Sequence, residues 1–498
     1  MSKQVVERMV AHSRLSAGSS RRRGALLMSA ASFALAISWP MSARAQSETA
    51  LPSGGTVVGG TATIGLPSGA QLQIDQSSDR AIITWDSFDI GSGAQVSFVQ
   101  PSASAIALNR VVGGSAPSQI AGQLNANGIV AVINSNGVMF AGTANVNVGG
   151  LIASAADVAD EAFMSGGALS FTGSPSSISE IIVSAGANIS IADEGLGLFF
   201  APVVRNAGVI SARLGQVTLA SGTSATLDLD GTGFIEIGLG NESALVSNGG
   251  TINAVGGRIH MTAKAASAVI DQVVNTGILS VASATSDPDG AIILSAQSGN
   301  AVLGGSFDAG AAGSASVTAA NEVKLESAVA ATGDVSLTGR RISGAGDIDV
   351  TDGALALTLD VAGADTSGDG DFIGDALGVI GTVSGGTSLD LKAGTYAAGA
   401  TIARDNVTID GGGVATIIVP INGGQINGLN ISGDGASVTG LTFTSELPEG
   451  VAAWDYAWGN SIPRGIAVLN GADGATISGN NITGVPTAFS SMGAVRAA

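Results

Sequence analysis

The chain repeats a short unit in which an asparagine–glycine turn leads into an apolar strand, and a second glycine leads into another strand. Residues 206–210 read Asn-Ala-Gly-Val-Ile and are followed by Gly-Gln-Val-Thr-Leu at 215–219. The unit returns at 248–252 with 257–261, and at 275–279 with 290–294. One such unit cannot bury its own apolar side chains, whereas units stacked one strand spacing apart can. We therefore predict an all-β fold, a right-handed parallel β-helix, in two consecutive segments.

The composition agrees with many short strands joined by tight turns. Glycine makes up 74 of the 498 residues, yet hydrophobic residues still reach 45%. Disordered chains need few apolar residues, so disorder is excluded. Segments such as 61–64, 71–75 and 82–85 alternate apolar and polar residues between turn residues, which indicates strands.

The first 45 residues have the pattern of an export signal. Arg21-Arg22-Arg23 precedes an apolar run at 24–39, and Ala43-Arg44-Ala45 closes the segment before Gln46. This order predicts a signal peptide that the general secretion machinery recognises and that is cleaved between Ala45 and Gln46. The alternative is a membrane-anchoring helix, but the run is short for a span and no later run reaches 18 apolar residues. We predict no transmembrane anchor.

The charge balance argues against nucleic acid as a partner. Seven of the 20 basic residues and one of the 39 acidic residues precede residue 46, which leaves 13 basic and 38 acidic residues in the rest. Such a body repels phosphate backbones. Cysteine is absent, which suits a core too large to need disulfides.

A change in pattern near Val361 divides the repeats. A short helix is predicted at 375–380, followed by strands at 388–396, 407–413, 438–443, 466–468 and 475–482. We expect four parts: a signal peptide at 1–45, an export domain at 46–200, a repeat region at 201–360 and a second β-helix with its own entry cap at 361–498. Because no closing cap is visible, we expect this second β-helix to be truncated.

A set of co-linear motifs lies between Trp85 and Ser154. They read Trp-Asp-Ser-Phe-Asp-Ile at 85–90, Val-Ser-Phe-Val-Gln-Pro at 96–101, Ala-Leu-Asn-Arg-Val-Val-Gly-Gly at 107–114, Ile-Asn-Ser-Asn-Gly-Val-Met-Phe at 133–140 and Val-Asn-Val-Gly-Gly-Leu-Ile-Ala-Ser at 146–154. This segment resembles the filamentous haemagglutinin N-terminal domain, the secretion domain of two-partner secretion exoproteins. The resemblance covers roughly residues 47–200.

The resemblance implies a parallel β-helix that a cognate outer-membrane β-barrel transporter recognises in the periplasm. The exoprotein would cross unfolded and would then be secreted or held at the cell surface. The family's recognition motifs fall on Asn109 and Arg110, and on Asn134, Ser135, Asn136 and Gly137, where Ser135 replaces a proline. The alternative for each of these residues is turn chemistry, or for Arg110 an ion pair with a nearby carboxylate.

The distal region carries a second, weaker resemblance. Ala-Gly-Thr-Tyr at 393–396 and Val-Thr-Ile-Asp-Gly-Gly-Gly at 407–413 are similar to coils of pectate-lyase-like β-helices. These strings indicate a shape and no active site.

The residues offer little for catalysis. Beyond the signal the chain has one histidine, His260, and no cysteine, which excludes histidine-dependent triads, thiol nucleophiles and the usual zinc sites. We predict no catalytic residues, no metal site and no cofactor. Asp365, Asp369 and Asp371 resemble the opening of a calcium loop, but its twelfth position is Ala376 instead of glutamate. A solvated turn is the alternative to this weak calcium prediction.

Trp454, Tyr456 and Trp458 form the one aromatic cluster of the sequence. It predicts a carbohydrate contact, with loop anchoring or core packing as the alternative. We predict that the chain is an adhesin or structural scaffold that binds a ligand, such as a carbohydrate, on a host or neighbouring cell. Two alternatives stay open, a polysaccharide lyase or hydrolase in the distal region, and the N-terminal part of a contact-dependent toxin.

Overall fold

A computed structural model describes residues 46–173, 179–222, 224–227, 235–237, 244–264, 271–283, 290–364, 366–367, 371–419, 427–445, 464–469, 472–483, 485, 487–491 and 495–497. These residues belong to one compact unit, Gln46–Ala498. The described residues form short strands with two short helices, as the alternating pattern predicts.

The elements of the first half of the chain are β1 (Thr56–Gly59), β2 (Ala62–Ile64), β3 (Gln71–Gln76), β4 (Arg80–Trp85), β5 (Gln95–Val99), β6 (Ile106–Val111), β7 (Ser118–Ile120), β8 (Gln123–Ala126), β9 (Ile129–Ile133), β10 (Gly137–Phe140), β11 (Asn145–Val148), β12 (Gly150–Ser154), β13 (Asp157–Val158), α1 (Asp160–Ser165), β14 (Leu169–Thr172), β15 (Glu180–Val183), β16 (Asn188–Ile191), β17 (Leu196–Phe200), β18 (Val203–Asn206), β19 (Val209–Ala212), β20 (Gln216–Ser221), β21 (Ala225–Leu227), β22 (Ile235–Ile237), β23 (Ala244–Asn248) and β24 (Thr251–Asn253).

The elements of the second half are β25 (Arg258–Ala263), β26 (Asp271–Asn275), β27 (Ile278–Ser280), β28 (Ala291–Ala296), β29 (Asn300–Asp308), β30 (Ser314–Ala319), β31 (Glu322–Thr332), β32 (Asp334–Gly339), β33 (Arg341–Gly344), β34 (Ile348–Thr351), β35 (Leu355–Leu359), α2 (Phe372–Gly378), β36 (Ile380–Val383), β37 (Thr387–Leu391), β38 (Gly394–Ala397), β39 (Ala400–Ile402), β40 (Val407–Ile418), β41 (Leu429–Ile431), β42 (Ser437–Thr444), β43 (Arg464–Val468), β44 (Ala475–Ser478), β45 (Asn481–Ile482), β46 (Thr487–Ser491) and β47 (Val495–Ala497).

Three strands make one coil, and consecutive coils pair in parallel, which confirms the predicted parallel β-helix. Face A contains β7, β10, β15, β18, β23, β26, the first halves of β29 and β31, and β33. Face B contains β3, β5, β8, β11, β16, β19, β24, β27, the second halves of β29 and β31, β34 and β36. Face C contains β4, β6, β9, β12, β17, β20, β25, β28, β30, β32, β35, β37, the first halves of β40 and β42, β44 and β47.

The core runs through the middle of the coils. Alternate side chains of each strand point inward, and those from all three faces form one apolar cluster. On face C the inward residues stay in register from coil to coil: Val217, Ile259, Ile292, Ala315, Val335 and Leu355 occupy successive rungs of one column. The repeated unit of the sequence is therefore one coil.

The corner between faces A and B explains the repeated asparagine. Asn206, Asn248 and Asn275 are buried and form a ladder, since the Nδ2 of Asn206 donates to the Oδ1 of Asn248 (2.8 Å) and that of Asn248 donates to the Oδ1 of Asn275 (2.8 Å). The last Nδ2 donates to the carbonyl of Gly304 at 3.1 Å. Each asparagine side chain thereby provides a hydrogen-bond partner for a buried polar group of the next coil.

The corner between faces B and C explains much of the glycine content. An added Cβ at Gly257 would lie 2.0 Å from the carbonyl oxygen of Gly215, and one at Gly290 would lie 2.0 Å from that of Gly257. The close approach recurs along the stack, at Gly195, Gly215, Gly257, Gly290, Gly333, Gly353 and Gly385. Only glycine leaves room for the preceding coil at this corner.

Two short strands close the first edge of the stack. β1 runs antiparallel to β4, and β2 runs antiparallel to β3. Every strand pair that stacks one coil on the next is parallel. β1 and β2 therefore form an N-terminal cap of four and three residues.

An extra layer covers the outside of face C over β4, β6, β9, β12, β17 and β20. β13, β14, β21 and β22 form an antiparallel sheet, and α1 lies beside it. Phe163 and Phe171 of this layer pack on outward side chains of face C, such as Ile106 and Leu108, in a second apolar cluster. Face C is consequently buried on both sides in this part of the chain.

The change of pattern near Val361 alters two of the three faces of the β-helix. Face C continues through it, because β35 pairs with β37 and β37 pairs with β40. Faces A and B are rebuilt: α2 takes the place of a strand, close to the predicted helix, and β39, β41, β43 and β46 form a separate ladder. The second segment thus shares one continuous face with the first.

His260 lies on the outer side of β25, between Thr218 and Ile293 of the neighbouring coils. Burial, with a smaller contribution from the charge of Arg258, lowers its pKa to about 4. The folded protein therefore binds fewer protons than the unfolded chain between the unfolded value of about 6.5 and pH 4, so stability falls as the pH falls through this window.

Because of His260, we expect the free energy of unfolding to be about 3 kcal/mol lower below pH 4 than above pH 7. His260→Gln removes this part of the pH dependence and leaves the carboxylate part unchanged. Urea unfolding of both proteins at pH 7, 5 and 4 measures the difference. Parallel curves for the two proteins would contradict the assignment.

No helix among the described residues has the length and apolarity needed to cross a membrane.

Candidate functional site

Asn109 points into the core. Its strand, β6, alternates outward Ile106 and Leu108 with inward Ala107 and Asn109. The indole Nε1 of Trp85 donates to the Asn109 Oδ1 at 3.0 Å, and the Asn109 Nδ2 donates to the carbonyls of Ala107 and Ala131 at 3.2 Å. In the folded chain Asn109 is therefore buried, and its side chain links three consecutive coils through hydrogen bonds.

Arg110 points outward and holds the extra layer. Its Nε donates to the Asp157 Oδ1 at 2.9 Å, one terminal nitrogen donates to the Asp160 Oδ1 at 2.5 Å, and the other donates to the Val158 carbonyl at 2.7 Å. Burial opposes the charge, but hydrogen bonds and attraction from Asp160 and Asp157 outweigh it and raise the pKa of Arg110. The ion-pair alternative considered for Arg110 therefore describes its folded environment.

Arg80 fastens the same layer from the neighbouring strand. It donates to the carbonyl of Phe163 at 2.8 Å, and its guanidinium lies 5.3 Å from the centre of the Phe163 ring. Two arginines on adjacent strands of face C thus hold β13 and α1 against the coils.

Residues 134–137 form a tight turn at the end of β9. The amide of Gly137 donates to the Asn134 carbonyl at 2.8 Å, and the Asn134 Oδ1 accepts the Asn136 amide at 2.9 Å. Gly137 has φ of +106°, and a Cβ there would lie 2.3 Å from the Glu180 carbonyl oxygen. Asn134 and Gly137 are buried, Asn136 is half-buried and Ser135 is exposed.

The fold brings the two motifs together. β6 and β9 pair so that Asn109 faces Val132 and Arg110 faces Ile133, one residue before the turn begins. The Asn134 amide then donates to the Ser154 carbonyl on the next strand at 3.1 Å. Motifs that lie apart in the sequence thus meet at one corner of three consecutive coils.

We expect Ser135→Pro to raise the free energy of unfolding by about 0.5–1 kcal/mol. Position 135 is the second residue of a turn closed by an i to i+3 hydrogen bond, where proline is favoured. The Ser135 side chain is exposed, and its carbonyl, which accepts from the Ser179 hydroxyl at 2.6 Å, is retained by proline. Chemical unfolding measures the change; Asn136→Pro serves as the control and should destabilise, because proline is disfavoured at the third turn position. A loss of stability in Ser135→Pro would contradict the turn assignment.

The other predicted site residues are placed only in part. Gln46 donates through its side chain to the Gln119 carbonyl at 3.1 Å, whereas Ala45 lies outside the described residues. Trp454, Tyr456 and Trp458 also lie outside them, as do Asp365 and Asp369. Asp371 caps α2 by accepting the Gly374 amide at 2.8 Å, and burial raises its pKa. Within the described part of the chain, no three His, Asp or Glu side chains are grouped closely enough to hold a metal ion.

Comparison with protein families matches residues 48–309 to the TPS secretion domain. This is more than half of the chain and begins just before the N-terminal cap. The chain belongs to the TPS secretion domain family. The matched region continues past the expected end at residue 200 and takes in the coils of the asparagine ladder.

Two curated relatives of this TPS domain protein are heme/hemopexin-binding proteins of Haemophilus influenzae. One is 48% identical over 99 residues, which is 20% of this chain and 11% of the relative; the other, from strain Rd, is 46% identical over 108 residues, 22% of this chain and 12% of the relative. The matched segments thus span about a ninth of the relatives' length. The crystal structure of the HMW1 secretion domain from Haemophilus influenzae covers 89% of this chain and 100% of its own, with a TM-score of 0.48 and 23% identity.

The sequence patterns missed the partners that fix the motif residues. Arg80, Asp157 and Asp160 hold the extra layer, and Trp85 holds Asn109. One signal was present: β6 is apolar on both sides from Ile106 to Leu108, which is typical of a strand covered on both faces.

Proposed function

We propose that this protein is exported by two-partner secretion through a cognate outer-membrane β-barrel transporter, and that it works outside the cell or at its surface as a scaffold or adhesin. The match to the TPS secretion domain over residues 48–309 carries the proposal. The region so matched includes the N-terminal cap, the extra layer and the coils as far as β29.

The transporter would read the motif residues before the chain folds. In the folded structure Asn109, Asn134 and Gly137 are buried, and Arg110 keeps only 14% of its side chain exposed. Ser135 and Asn136 alone remain accessible at this corner. In an unfolded chain all six motif residues are accessible, which supports recognition in the periplasm ahead of folding.

Deletion of residues 85–154 should abolish appearance of the protein in the medium or on the cell surface when it is produced with its transporter. The matched control removes residues 334–353, one complete coil outside the family match, between the equivalent corner positions Gly333 and Gly353. This control should still be exported. Continued export of the first variant, or export of both without the transporter, would refute the proposal.

The adhesin part of the proposal is supported by the outer side of face C beyond the extra layer. Two columns of side chains run there in register, and all but Ala356 are polar, most of them hydroxyls: Ser316, Ser336, Ala356, Ser388, Thr408, Ser437 and Thr476 in one, and Thr318, Thr338, Thr358, Asp390, Asp410, Thr439 and Ser478 in the other. Hydroxyl and carboxylate groups of this kind hydrogen-bond to neutral sugars.

Binding to a panel of neutral and acidic glycans tests the adhesin part. We expect neutral glycans to bind, and Ser336→Val with Thr338→Val to weaken that binding while the fold is retained. Thr318→Val, a single change at an exposed position, is the control and should weaken binding less. Equal binding by all variants, or a preference for acidic glycans, would remove this surface from consideration.

A further inference from the structure

Two neighbouring strands on one side of the solenoid are not joined. In the contiguous described stretch 371–419, β36 pairs only with β34 before it, and β39 pairs only with β41 after it. The strands that follow them on face C, β37 and the first half of β40, pair directly and in register. A cavity of about 460 Å³ lies between residues 380–387 and the turn at 404–406. We call this cavity the slit.

The slit exists because α2 occupies the position of a strand. Arg341 of β33 holds the helix through Asp375, with its Nε 2.9 Å from the Oδ2, and lies 5.5 Å from the centre of the Phe372 ring. On its other side α2 contacts β38 and β39. A helix is about 10 Å across, roughly twice the strand spacing of ~4.8 Å. The consecutive coils therefore lie further apart beside α2, while they stay paired on face C. The distance between the coils beside α2 exceeds the usual one by about one strand spacing.

The walls of the slit are strand edges. The Thr382 amide donates to the Asp349 Oδ1 at 2.6 Å and the Ser384 amide to the Val350 carbonyl at 3.1 Å, both toward β34. Since main-chain groups alternate in direction along a regular strand, those of Val383, between Thr382 and Ser384, point toward the slit. On the opposite wall the Ile402 carbonyl accepts from Ser432 and Gly433 in the next coil, so the main chain of Thr401 points toward the slit.

Arg404 is the basic residue that lines the slit, and the carboxylate of Asp405 beside it accepts the Asp434 amide at 2.8 Å. Arg404 lines both this cavity and a second one of about 260 Å³ that reaches Leu377 and Gly378 at the end of α2. The residue is exposed, and it forms no ion pair with any residue that the structure describes. The exposed guanidinium of Arg404 favours a carboxylate on a ligand that enters the slit.

We propose that the slit binds an extended peptide segment of a partner protein, which enters as an added strand and places a carboxylate opposite Arg404. Unpaired main-chain donors and acceptors on both walls, at Val383 and Thr401, match another peptide main chain and do not match a sugar. The excess spacing beside α2 fits one strand. The site lies outside the region matched by the secretion family and does not depend on the export proposal.

The binding test uses the purified chain from Gln46 onward and a fluorescent acetylated peptide, Thr-Val-Glu-Val-Thr-Val. We expect saturable binding by anisotropy, no binding of the same peptide N-methylated at alternate residues, and at least a tenfold loss of affinity in Arg404→Glu. Arg258→Glu, the same charge change at an exposed position on β25, should bind as the unmodified chain does. No binding at millimolar peptide, or equal binding of the N-methylated peptide, overturns the proposal.

Amide hydrogen exchange supplies the second measurement. In the free protein the amide of Val383 should exchange faster than those of Thr382 and Ser384, and the peptide should slow it selectively. Protection of Val383 without peptide would show that the slit is closed and would overturn the proposal, as would protection by a neutral oligosaccharide, cellohexaose, in place of the peptide. Because both measurements use purified protein, their failure is independent of any failure in export.

Discussion

Gly257→Ala is expected to lower the free energy of unfolding by about 3 kcal/mol or more. The new Cβ would lie 2.0 Å from the Gly215 carbonyl oxygen, and Gly290 stacks as closely on the carbonyl of Gly257 itself. Neither neighbour is a flexible side chain that could move aside. Relief requires a shift of the backbone at a corner that is bonded to the coils before and after it.

Gly378→Ala is the matched control, because it makes the same chemical change without the clash. Gly378 ends α2, and an added Cβ there meets nothing within 4 Å. We expect this variant to be unchanged or to gain up to about 1 kcal/mol, since alanine restricts the unfolded chain and favours helix. Chemical unfolding followed by far-ultraviolet circular dichroism compares the two. A similar result for both variants would show that corner glycines are not required by close approach.

Asn248→Ala should cost about 3 kcal/mol, because it breaks the asparagine ladder at its centre. The substitution removes the acceptor of the Asn206 Nδ2 and the donor to the Asn275 Oδ1, each bonded at 2.8 Å. Both orphaned groups are buried and have little access to water. The loss therefore includes two desolvated polar groups in addition to the hydrogen bonds.

Asn253→Ala, on the next strand of the same coil, provides the comparison. Its Oδ1 is already buried without a hydrogen-bond partner in the described structure. Removing this oxygen should be neutral or slightly stabilising. Equal losses at positions 248 and 253 would indicate that the side-chain volume, and not the ladder, accounts for the effect.

The sequence predicted those parts of the fold that depend on local repetition. The Asn-x-Gly units at 206–208, 248–250 and 275–277 are corners, and the alternating segments are strands. Each coil contacts mainly the next one, so a repeated pattern is enough to predict the stack. The helix near residue 375 was also expected and begins three residues earlier, at Phe372.

Features that depend on distant partners could not be predicted in this way. Arg110 was assigned to recognition from its motif, but its partners Asp157 and Asp160 lie 47 and 50 residues further along the chain. The extra layer likewise joins β14 to β21 across two intervening coils. The slit follows from the width of α2 relative to a strand, which becomes apparent only when consecutive coils are in place. Whether the motif residues contact a transporter stays a prediction.

The antiparallel strands β1 and β2 determine the end of the stack at which coils are added as the chain folds. On faces B and C the ladder starts with two strands of four and three residues that run against their neighbours, so a second molecule cannot extend the parallel sheet on these two faces. New coils can be added only on the opposite side, each onto a template that is already ordered. We therefore expect the solenoid to assemble in one direction, with every step closing a loop no longer than a single turn.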